Sequence, residues 1–500
     1  MIRALWVLPF LALTLFAQDG VRPAPDLSAE IDRLIEAAAK PGPAATDYEF
    51  CRRVSIDLLG RLPSAADVRG FAADSAPGKR SALIDRLLED ARFAEFWSEV
   101  WVRTLVGFDL YSLFRQELDL HKLREWLQEQ FSKNRPIDEI AKELLTAGGE
   151  LKDNGPVHFM LFYIKPMARE PVEASVAVAR VFLGYRLQCA QCHDHPFDRW
   201  TRDDFWGWTA LLARTRQVTR NTFDGVRVTF GDRPRGELMF EGKEVAPKLL
   251  DGTAPAADAP SRREALAKWI VSQRQFARAM VNRVWAHCFG RGLVEPVDGF
   301  GGSNQGAHPE LLERLAETFE RSGFDFKALV RAVVRSRAYQ RSSAGSPDGF
   351  AHQRVRPLHP VALFNSLIHA LNAEAFVKTE EFQKAKYLFL YVIQSLLGQQ
   401  GGPDEAKYQG NVQQALVFMN NKDFNNGLAA PTGLPALIVR DHRLAGRRVE
   451  ELFLALLGRL PNEAELKRHV EYARLRKNEL DAYVDIAWVL MNTNEFFFNH

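Results

Sequence analysis

Apolar residues recur at helical spacing along most of this 500-residue chain. Gly60 as a C-cap and Pro63 as a helix breaker end one such segment. Ser64 with Asp67 has the pattern of a capping box, which begins the next segment. The pattern predicts helices over 27–40, 47–59, 79–90, 92–106, 112–132, 136–146, 171–185 and 202–214. The N-terminal half is therefore predicted to be an α-helical domain.

A change of pattern between 218 and 250 interrupts the helical periodicity. Residues 226–230 and 237–240 alternate or cluster apolar side chains, which predicts a small β-hairpin insert. Residues 251–260 are rich in Ala, Pro, Gly and Asp, as a linker is. The prediction is a mainly α, multi-helical two-domain protein, with helical domains over 27–215 and 261–500 and the insert and linker over 216–260.

One six-residue sequence, LLGRLP, occurs twice, at 58–63 and at 456–461. An apolar helical pattern precedes each copy, and an acidic residue, Asp67 or Glu465, follows three places after the residue that would cap the next helix. This is the pattern of a helix, a glycine stop, a proline-fixed turn and a recapped helix. It predicts a duplicated helical hairpin rather than a solenoid, which needs about three or more repeats.

The first 17 residues have the features of a signal peptide. A positive start at 1–3, a short apolar stretch at 4–16 and a plausible cleavage point at Ala17 follow one another. No later stretch of about 18 uninterrupted apolar residues is present, so no transmembrane segment is expected after the signal peptide. The sequence therefore predicts a periplasmic or extracellular protein.

The composition argues against two classes of protein, general nucleic-acid binders and disulfide-rich scaffolds. With a net charge of +2 and no long Lys/Arg run, the chain does not fit a general nucleic-acid binder, and we expect no nucleic-acid partner. Its four cysteines are too few for a disulfide scaffold in an exported protein of this size. Cys51 and Cys288 lie in apolar helical patterns, where they either pair or remain as buried thiols.

The strongest chemical signal is the sequence Cys189-Ala190-Gln191-Cys192-His193. Two cysteines with a histidine directly after the second are what covalent haem attachment requires, because the thiols add to the haem vinyl groups and the histidine becomes an axial iron ligand. Cys189, Cys192 and His193 are therefore the candidate haem c-binding residues.

Two alternatives use the same residues. An unmetallated CxxC pair outside the cytoplasm tends to oxidise, which makes a Cys189/Cys192 disulfide the first. A zinc or other metal site built from Cys189, Cys192, His193 and His195 is the second, since all four are good N or S ligands. In the haem interpretation, His195 lies too close to His193 to reach the opposite haem face and is expected to form hydrogen bonds.

A sixth iron ligand and a second cluster are also predicted. Met167 is the candidate metal ligand just upstream of the motif, together with Met160 and His158. On one predicted helix, a face with Arg and Asn side chains fits either a carboxylate, propionate or sugar, or a buried polar network that reaches Glu295, Asp298 or Glu310. That cluster comprises Arg278, Asn282, Arg283, Trp285 and His287.

Longer stretches resemble a known pair of domains. DYEFCRR at 47–53, LLGRLP at 58–63 and above all CAQCHDHPFDRW at 189–200 resemble the cytochrome-like domain of unknown function that is abundant in planctomycetes and related bacteria. Its usual partner, the planctomycete-specific domain of unknown function, is similar to residues 262–267, 276–285, 289–294, 308–312, 336–339 and 492–496. The resemblance implies a cytochrome-like protein whose reaction is unassigned.

No enzyme class follows from the motifs. The chain has no Gly-x-Ser-x-Gly elbow and no His-Glu-x-x-His helix, and its glycine-rich stretch at 290–302 lacks a P-loop lysine. The predicted function is an exported c-type haem protein in electron transfer or redox chemistry, whose partner is a redox protein or a cell-surface carbohydrate-processing protein. The alternatives are a non-haem structural or carbohydrate-associated binding protein, and a Cys/His metal site.

Overall fold

A computed structural model gives the fold of the chain. It describes residues 27–107, 115, 118–165, 170–222, 225–302, 304–345, 348–373, 386, 389–390 and 422–500. The predicted signal peptide, 1–17, and the candidate ligand Met167 lie outside these residues. The described part of the chain contains 21 α-helices and seven short strands, so the prediction of a mainly α fold is confirmed.

The N-terminal helices match the predicted segments closely. They are α1 (Leu27–Ala38), α2 (Asp47–Leu59), α3 (Ala65–Ala73), α4 (Lys79–Glu89), α5 (Ala91–Val106), α6 (Leu120–Ser132), α7 (Ile137–Thr146), α8 (Val157–Tyr163), α9 (Val172–Leu183) and α10 (Arg202–Ala210). α6 begins at Leu120 rather than at 112, because the Asp119 carboxylate caps it by accepting from the N–H groups of His121 and Lys122. The sequence analysis did not predict α8.

The strands correct one prediction. They are β1 (Gly149–Glu150), β2 (Thr215–Thr222), β3 (Gly225–Asp232), β4 (Leu238–Phe240), β5 (Lys243–Val245), β6 (Arg356–Pro357) and β7 (Phe498–Asn499). The predicted strands 226–230 and 237–240 do not pair with each other: β3 pairs with β2, and β4 with β5. β2 was missed because its sequence, TRQVTRNT, is mostly polar, although the sequence Asp224-Gly225 is a hairpin signal.

Helices also dominate the C-terminal half. They are α11 (Arg262–Ser272), α12 (Arg274–Phe289), α13 (Pro309–Arg321), α14 (Phe326–Arg335), α15 (Pro360–Ala370), α16 (Lys422–Leu428), α17 (Leu434–Asp441), α18 (Ala445–Leu457), α19 (Glu463–Leu475), α20 (Glu479–Met491) and α21 (Asn494–Phe497). Apolar side chains from both halves form one continuous buried core. Among the described helices, none has the length and apolar character that a membrane span requires.

Both LLGRLP copies form the predicted helix, glycine stop and recapped helix. Gly60 and Gly458 take left-handed conformations with φ of 62° and 71°, which end α2 and α18. The next helices are capped alike, because Ser64 accepts from the Asp67 N–H and Asn462 from the Glu465 N–H. α3 packs against α18, so the two hairpins lie together in the fold.

Three charged side chains of α2 are buried and bonded to distant parts of the chain. Arg53 donates to the carbonyls of Tyr339 and Arg341, both at 2.8 Å, and to the Glu49 carboxylate at 2.7 Å. Arg52 donates to the carbonyls of Glu495, Phe496 and Phe498. We call these two arginines and Asp57 the α2 polar cluster.

Asp57 is the acceptor at the centre of this cluster. It accepts from the Tyr339 hydroxyl at 2.6 Å, from Arg356 at 2.5 Å and from the Asn499 amide at 2.8 Å. Burial raises the pKa of Tyr339 well above its usual value, so its hydroxyl remains a donor. The cluster joins α2 to the loops after α14 and to β7.

Candidate functional site

The cysteine motif forms a short 3-10 turn on the surface, Leu187–Gln191, followed by Cys192 and His193. Leu187 and Ala190 are buried and hold the turn against the core, whereas Cys189 and Cys192 are exposed free thiols. We call residues 187–193 the thiol turn.

The two histidines beside the thiols differ in the nitrogen that is free. His193 Nδ1 lies 2.7 Å from the Asp194 carbonyl oxygen, and because a carbonyl only accepts, Nδ1 carries the proton and Nε2 keeps its lone pair. His195 Nδ1 instead accepts from the Phe197 N–H at 3.2 Å. The exposed His193 is thus better prepared to bind a metal ion than His195.

Hydrogen bonds fix the thiol turn to α10. The Trp206 indole N–H donates to the Gln191 carbonyl at 3.1 Å, and the Arg202 N–H donates to the Asp194 carboxylate at 2.9 Å. Thr201 and Asp204 form a capping box at the start of α10. The turn therefore has a rigid base, while its two thiols face solvent.

The donor set fits covalent haem attachment. The thiols are free and exposed, and the neighbouring histidine offers Nε2. The other candidate ligands upstream are core residues: Met160 is fully buried, and the buried His158 uses Nδ1 to accept from the Asp119 N–H. Within the described ranges, no three His, Cys, Asp or Glu side chains meet in a metal-binding arrangement.

A cleft of about 920 Å³ lies beside the residues that follow the motif. Its lining comes from residues 196–200, the glycine-rich loop, α12 and α13: Tyr185, Pro196, Phe197, Asp198, Arg199, Trp200, Gln275, Arg278, Val294, Phe300, Gly301, Gly302, Asn304, Gln305, Pro309, Leu312 and Glu313. Cys189, Cys192 and His193 are absent from this lining. The cleft is thus lined by the residues that follow the motif and not by its thiols.

Glycines allow the motif and the glycine-rich loop to come this close. Gly301 has a φ of 127°, and a Cβ there would lie 1.9 Å from Asp198 Oδ2. A Cβ on Gly302, φ 55°, would lie 2.4 Å from the Phe197 carbonyl oxygen. The glycines noted in the sequence therefore serve close backbone packing and hold one wall of the cleft.

The predicted polar face of α12 is mainly a packing network. Buried Asn282 donates to the carbonyls of Val294 and Val297 and accepts from the Val294 N–H. Arg283 forms an ion pair with Asp298, as the network interpretation predicted. His287 bonds the Asp57 carbonyl and Trp285 is buried.

One arginine of this face differs from the rest. Arg278 pairs with Glu313 of α13, and not with Glu310. Both members of the pair line the cleft, so this end of α12 contributes to the cleft wall as well as to helix packing.

The remaining cysteines lie in the core. Cys51 and Cys288 are buried free thiols. Burial raises the pKa of Cys51 to about 12 and that of Cys288 well above its usual value. Both are therefore inert thiols at neutral pH.

Two family models match the chain. Residues 30–217 match PSCyt2, described as a protein of unknown function (DUF1549), and residues 262–374 match PSD1, a protein of unknown function (DUF1553). Comparisons with curated proteins and with solved structures give no match. The thiol turn lies in the first match and the glycine-rich loop in the second, so the cleft is built from both. Over these two segments the chain is therefore similar to two domains of unknown function.

Proposed function

We propose that Cys189, Cys192 and His193 form a covalent haem attachment site, and that the protein is an exported c-type haem protein in electron transfer or redox chemistry. The observation that supports this best is the state of the three groups. Two free, exposed thiols lie three residues apart, beside a histidine whose Nδ1 is bonded to a carbonyl and whose Nε2 is free.

Each residue has a defined part in this proposal. The thiols of Cys189 and Cys192 would hold the haem through C–S bonds to its two vinyl groups, with each S–H proton going to the neighbouring vinyl carbon. His193 Nε2 would bind the haem iron, and the Asp194 carbonyl orients the imidazole by accepting from Nδ1. When bound, haem supplies an iron centre that carries one electron. Because all three residues are exposed, a redox partner has direct access to this face.

Spectroscopy of protein made with a functional haem-maturation system tests the proposal. We expect a Soret band and haem staining that persists on a denaturing gel. The double variant Cys189→Ala/Cys192→Ala should lose the stain, whereas Cys288→Ala, which removes a buried thiol elsewhere, should keep it. His193→Ala should keep the stain and change the spectrum, and His121→Ala, at another exposed histidine, should change neither.

A colourless protein made under these conditions would contradict the proposal. Stoichiometric zinc in that protein, lost in the double variant and in His195→Ala, would support the metal site at the same four residues. Absence of zinc together with two fewer titratable thiols would support the Cys189/Cys192 disulfide.

A further inference from the structure

The lining of the cleft contains two charged side chains that have no ion-pair partner among the described residues. Arg199 stacks its guanidinium over Trp200, 4.5 Å from the ring centroid, and forms no ion pair with any described residue. Asp198 accepts the Arg199 N–H at 2.7 Å and likewise has no described ion-pair partner. The other two charged residues of the lining, Arg278 and Glu313, neutralise each other. The cleft therefore has no net charge and two charged groups free for hydrogen bonding.

Aromatic side chains stand beside these groups. The Phe197 side chain is 86% exposed at the cleft, an unusual position for a large apolar ring. Tyr185 packs against Trp200 with ring centroids 5.1 Å apart, and its hydroxyl makes no hydrogen bond to a described residue. Burial raises the pKa of Tyr185, so the hydroxyl remains a neutral donor.

One unpartnered donor is deeply buried. Trp200 is 3% exposed and lines the cleft, and its indole N–H has no hydrogen-bond partner among the described residues. A buried polar group without a partner costs free energy of about 1–3 kcal/mol. The nitrogen itself is sealed from solvent, so Trp200 contributes a wall to the cleft rather than a donor to a bound molecule.

We infer that this cleft binds a neutral oligosaccharide. A pyranose ring has an apolar face of C–H groups that stacks on an aromatic ring, here Phe197, and an edge of hydroxyls that both donate and accept. The Arg199 guanidinium offers donors in a planar fork, and the Asp198 carboxylate offers acceptors. The volume of about 920 Å³ is within the range of small-ligand sites. The inference does not depend on haem.

Other ligand classes fit less well. A nucleotide or other phosphate ester requires excess positive charge, and two carboxylates balance the two arginines of this lining. A purely apolar ligand would leave Asp198 and Arg199 desolvated without partners. A sugar matches both the balanced charge and the mixture of aromatic and planar polar groups.

Binding of defined sugars to the full chain tests the inference. The probes are neutral hexaoses of glucose (β-1,4 and β-1,3), xylose and mannose, with sulfated and carboxylated oligosaccharides as charged counterparts, measured by titration calorimetry. We expect at least one neutral hexaose to bind. Phe197→Ala and Arg199→Met should each weaken that binding at least tenfold. Leu475→Ala and Arg440→Met, at exposed apolar and arginine sites elsewhere, should change it less than twofold.

Phe197 and Arg199 are exposed, so their variants are expected to fold, and thermal melts check this. The inference would be overturned if no neutral probe binds. It would also be overturned if Phe197→Ala and Arg199→Met both bind the sugar as tightly as the wild type. Binding of the charged oligosaccharides alone would also overturn it, because the cleft would then be an ion site. Any of these results leaves the haem proposal intact, since its readout is covalent colour.

Discussion

The thiol turn and the α2 polar cluster both concentrate reactive or charged side chains, but they differ in how those side chains are satisfied. In the α2 polar cluster, Asp57 receives three hydrogen bonds from side chains of three distant segments. In the thiol turn, Cys189 and Cys192 are exposed and the adjacent His193 retains a free nitrogen. The α2 polar cluster uses its polar groups to stabilise the fold, whereas the thiol turn leaves its thiols and the histidine nitrogen available to bind a ligand.

This difference distinguishes polar side chains that stabilise the fold from those that are candidates for a function. Buried charges that are bonded to internal partners are costly to disrupt, because removing one partner strands the others without solvent. Groups that face solvent contribute little to folding, so their presence calls for another explanation. The four predictions below test this distinction, in decreasing order of the expected change in stability.

Removal of the central carboxylate should have the largest effect. Asp57→Ala strands the Tyr339 hydroxyl, the Arg356 guanidinium and the Asn499 amide in the core, and we expect a loss of about 3–5 kcal/mol in unfolding free energy. Urea denaturation measures it. Asp441→Ala, which breaks the exposed ion pair with Arg440, should leave the midpoint unchanged. Equal midpoints for both variants would contradict a stabilising role for the cluster.

The buried histidine of α8, His158, is expected to make the unfolding free energy depend on pH. Burial lowers the pKa of His158 from 6.5 to about 4, so between these values the unfolded chain binds more protons than the folded one. The stability that neutral His158 contributes is complete above pH 6.5 and falls as the pH drops towards 4, by up to ~1.4 kcal/mol per pH unit.

His158→Asn retains an acceptor for the Asp119 N–H and should flatten the pH dependence of unfolding between pH 6.5 and 4. His121→Asn, at an exposed position of α6, should leave it as in the wild type. A slope that is unchanged in His158→Asn would show that other groups account for acid lability.

Disturbing the contact between the motif and the glycine-rich loop should lower the unfolding free energy by an intermediate amount. Gly301→Ala forces a Cβ against the Asp198 carboxylate at a φ of 127°, and we expect a loss of about 1–3 kcal/mol in unfolding free energy. Gly236, with a φ of 133° and no atom within 4 Å of the place where a Cβ would lie, is the matched control. Gly236→Ala measures backbone strain alone, so an equal loss in both variants would exclude the contact as a cause.

Substitutions in the thiol turn should change the unfolding free energy least. Without haem maturation, Cys189→Ala and Cys192→Ala should change the unfolding free energy by less than about 0.5 kcal/mol, because both thiols are exposed and unpaired. Cys288→Ala, in the core, should cost about 1 kcal/mol. A large loss from either motif variant would mean that the thiols stabilise the fold, and would favour the disulfide over haem attachment.

Local patterns predicted local structure well. The predicted bounds of α2 agree with the structure, since Thr46 caps its first turn and Gly60 stops it. The two LLGRLP hairpins are confirmed for the same reason, because their signals lie within a few residues of the elements they specify. The network interpretation of α12 is confirmed through Arg283 and Asp298.

Features that depend on distant partners could not be predicted. β2 carries polar residues and is identified only by its pairing with β3. Nothing near Asp57 in the sequence indicates that Tyr339, Arg356 and Asn499 bond to it. The cleft likewise requires Gly301 to meet Asp198, although the two are far apart in the chain. Haem attachment, signal-peptide cleavage and the domain boundaries stay predictions.

The bonds of Arg52 also have a consequence for synthesis in the cell. Arg52 in α2 donates to the carbonyl of Glu495, 443 positions later in the chain. At roughly 5–20 residues per second, a ribosome needs on the order of 20–90 s to make the chain between them. During that interval α2 is without these acceptors, so the nascent chain is expected to depend on holding chaperones until residues 495–499 emerge.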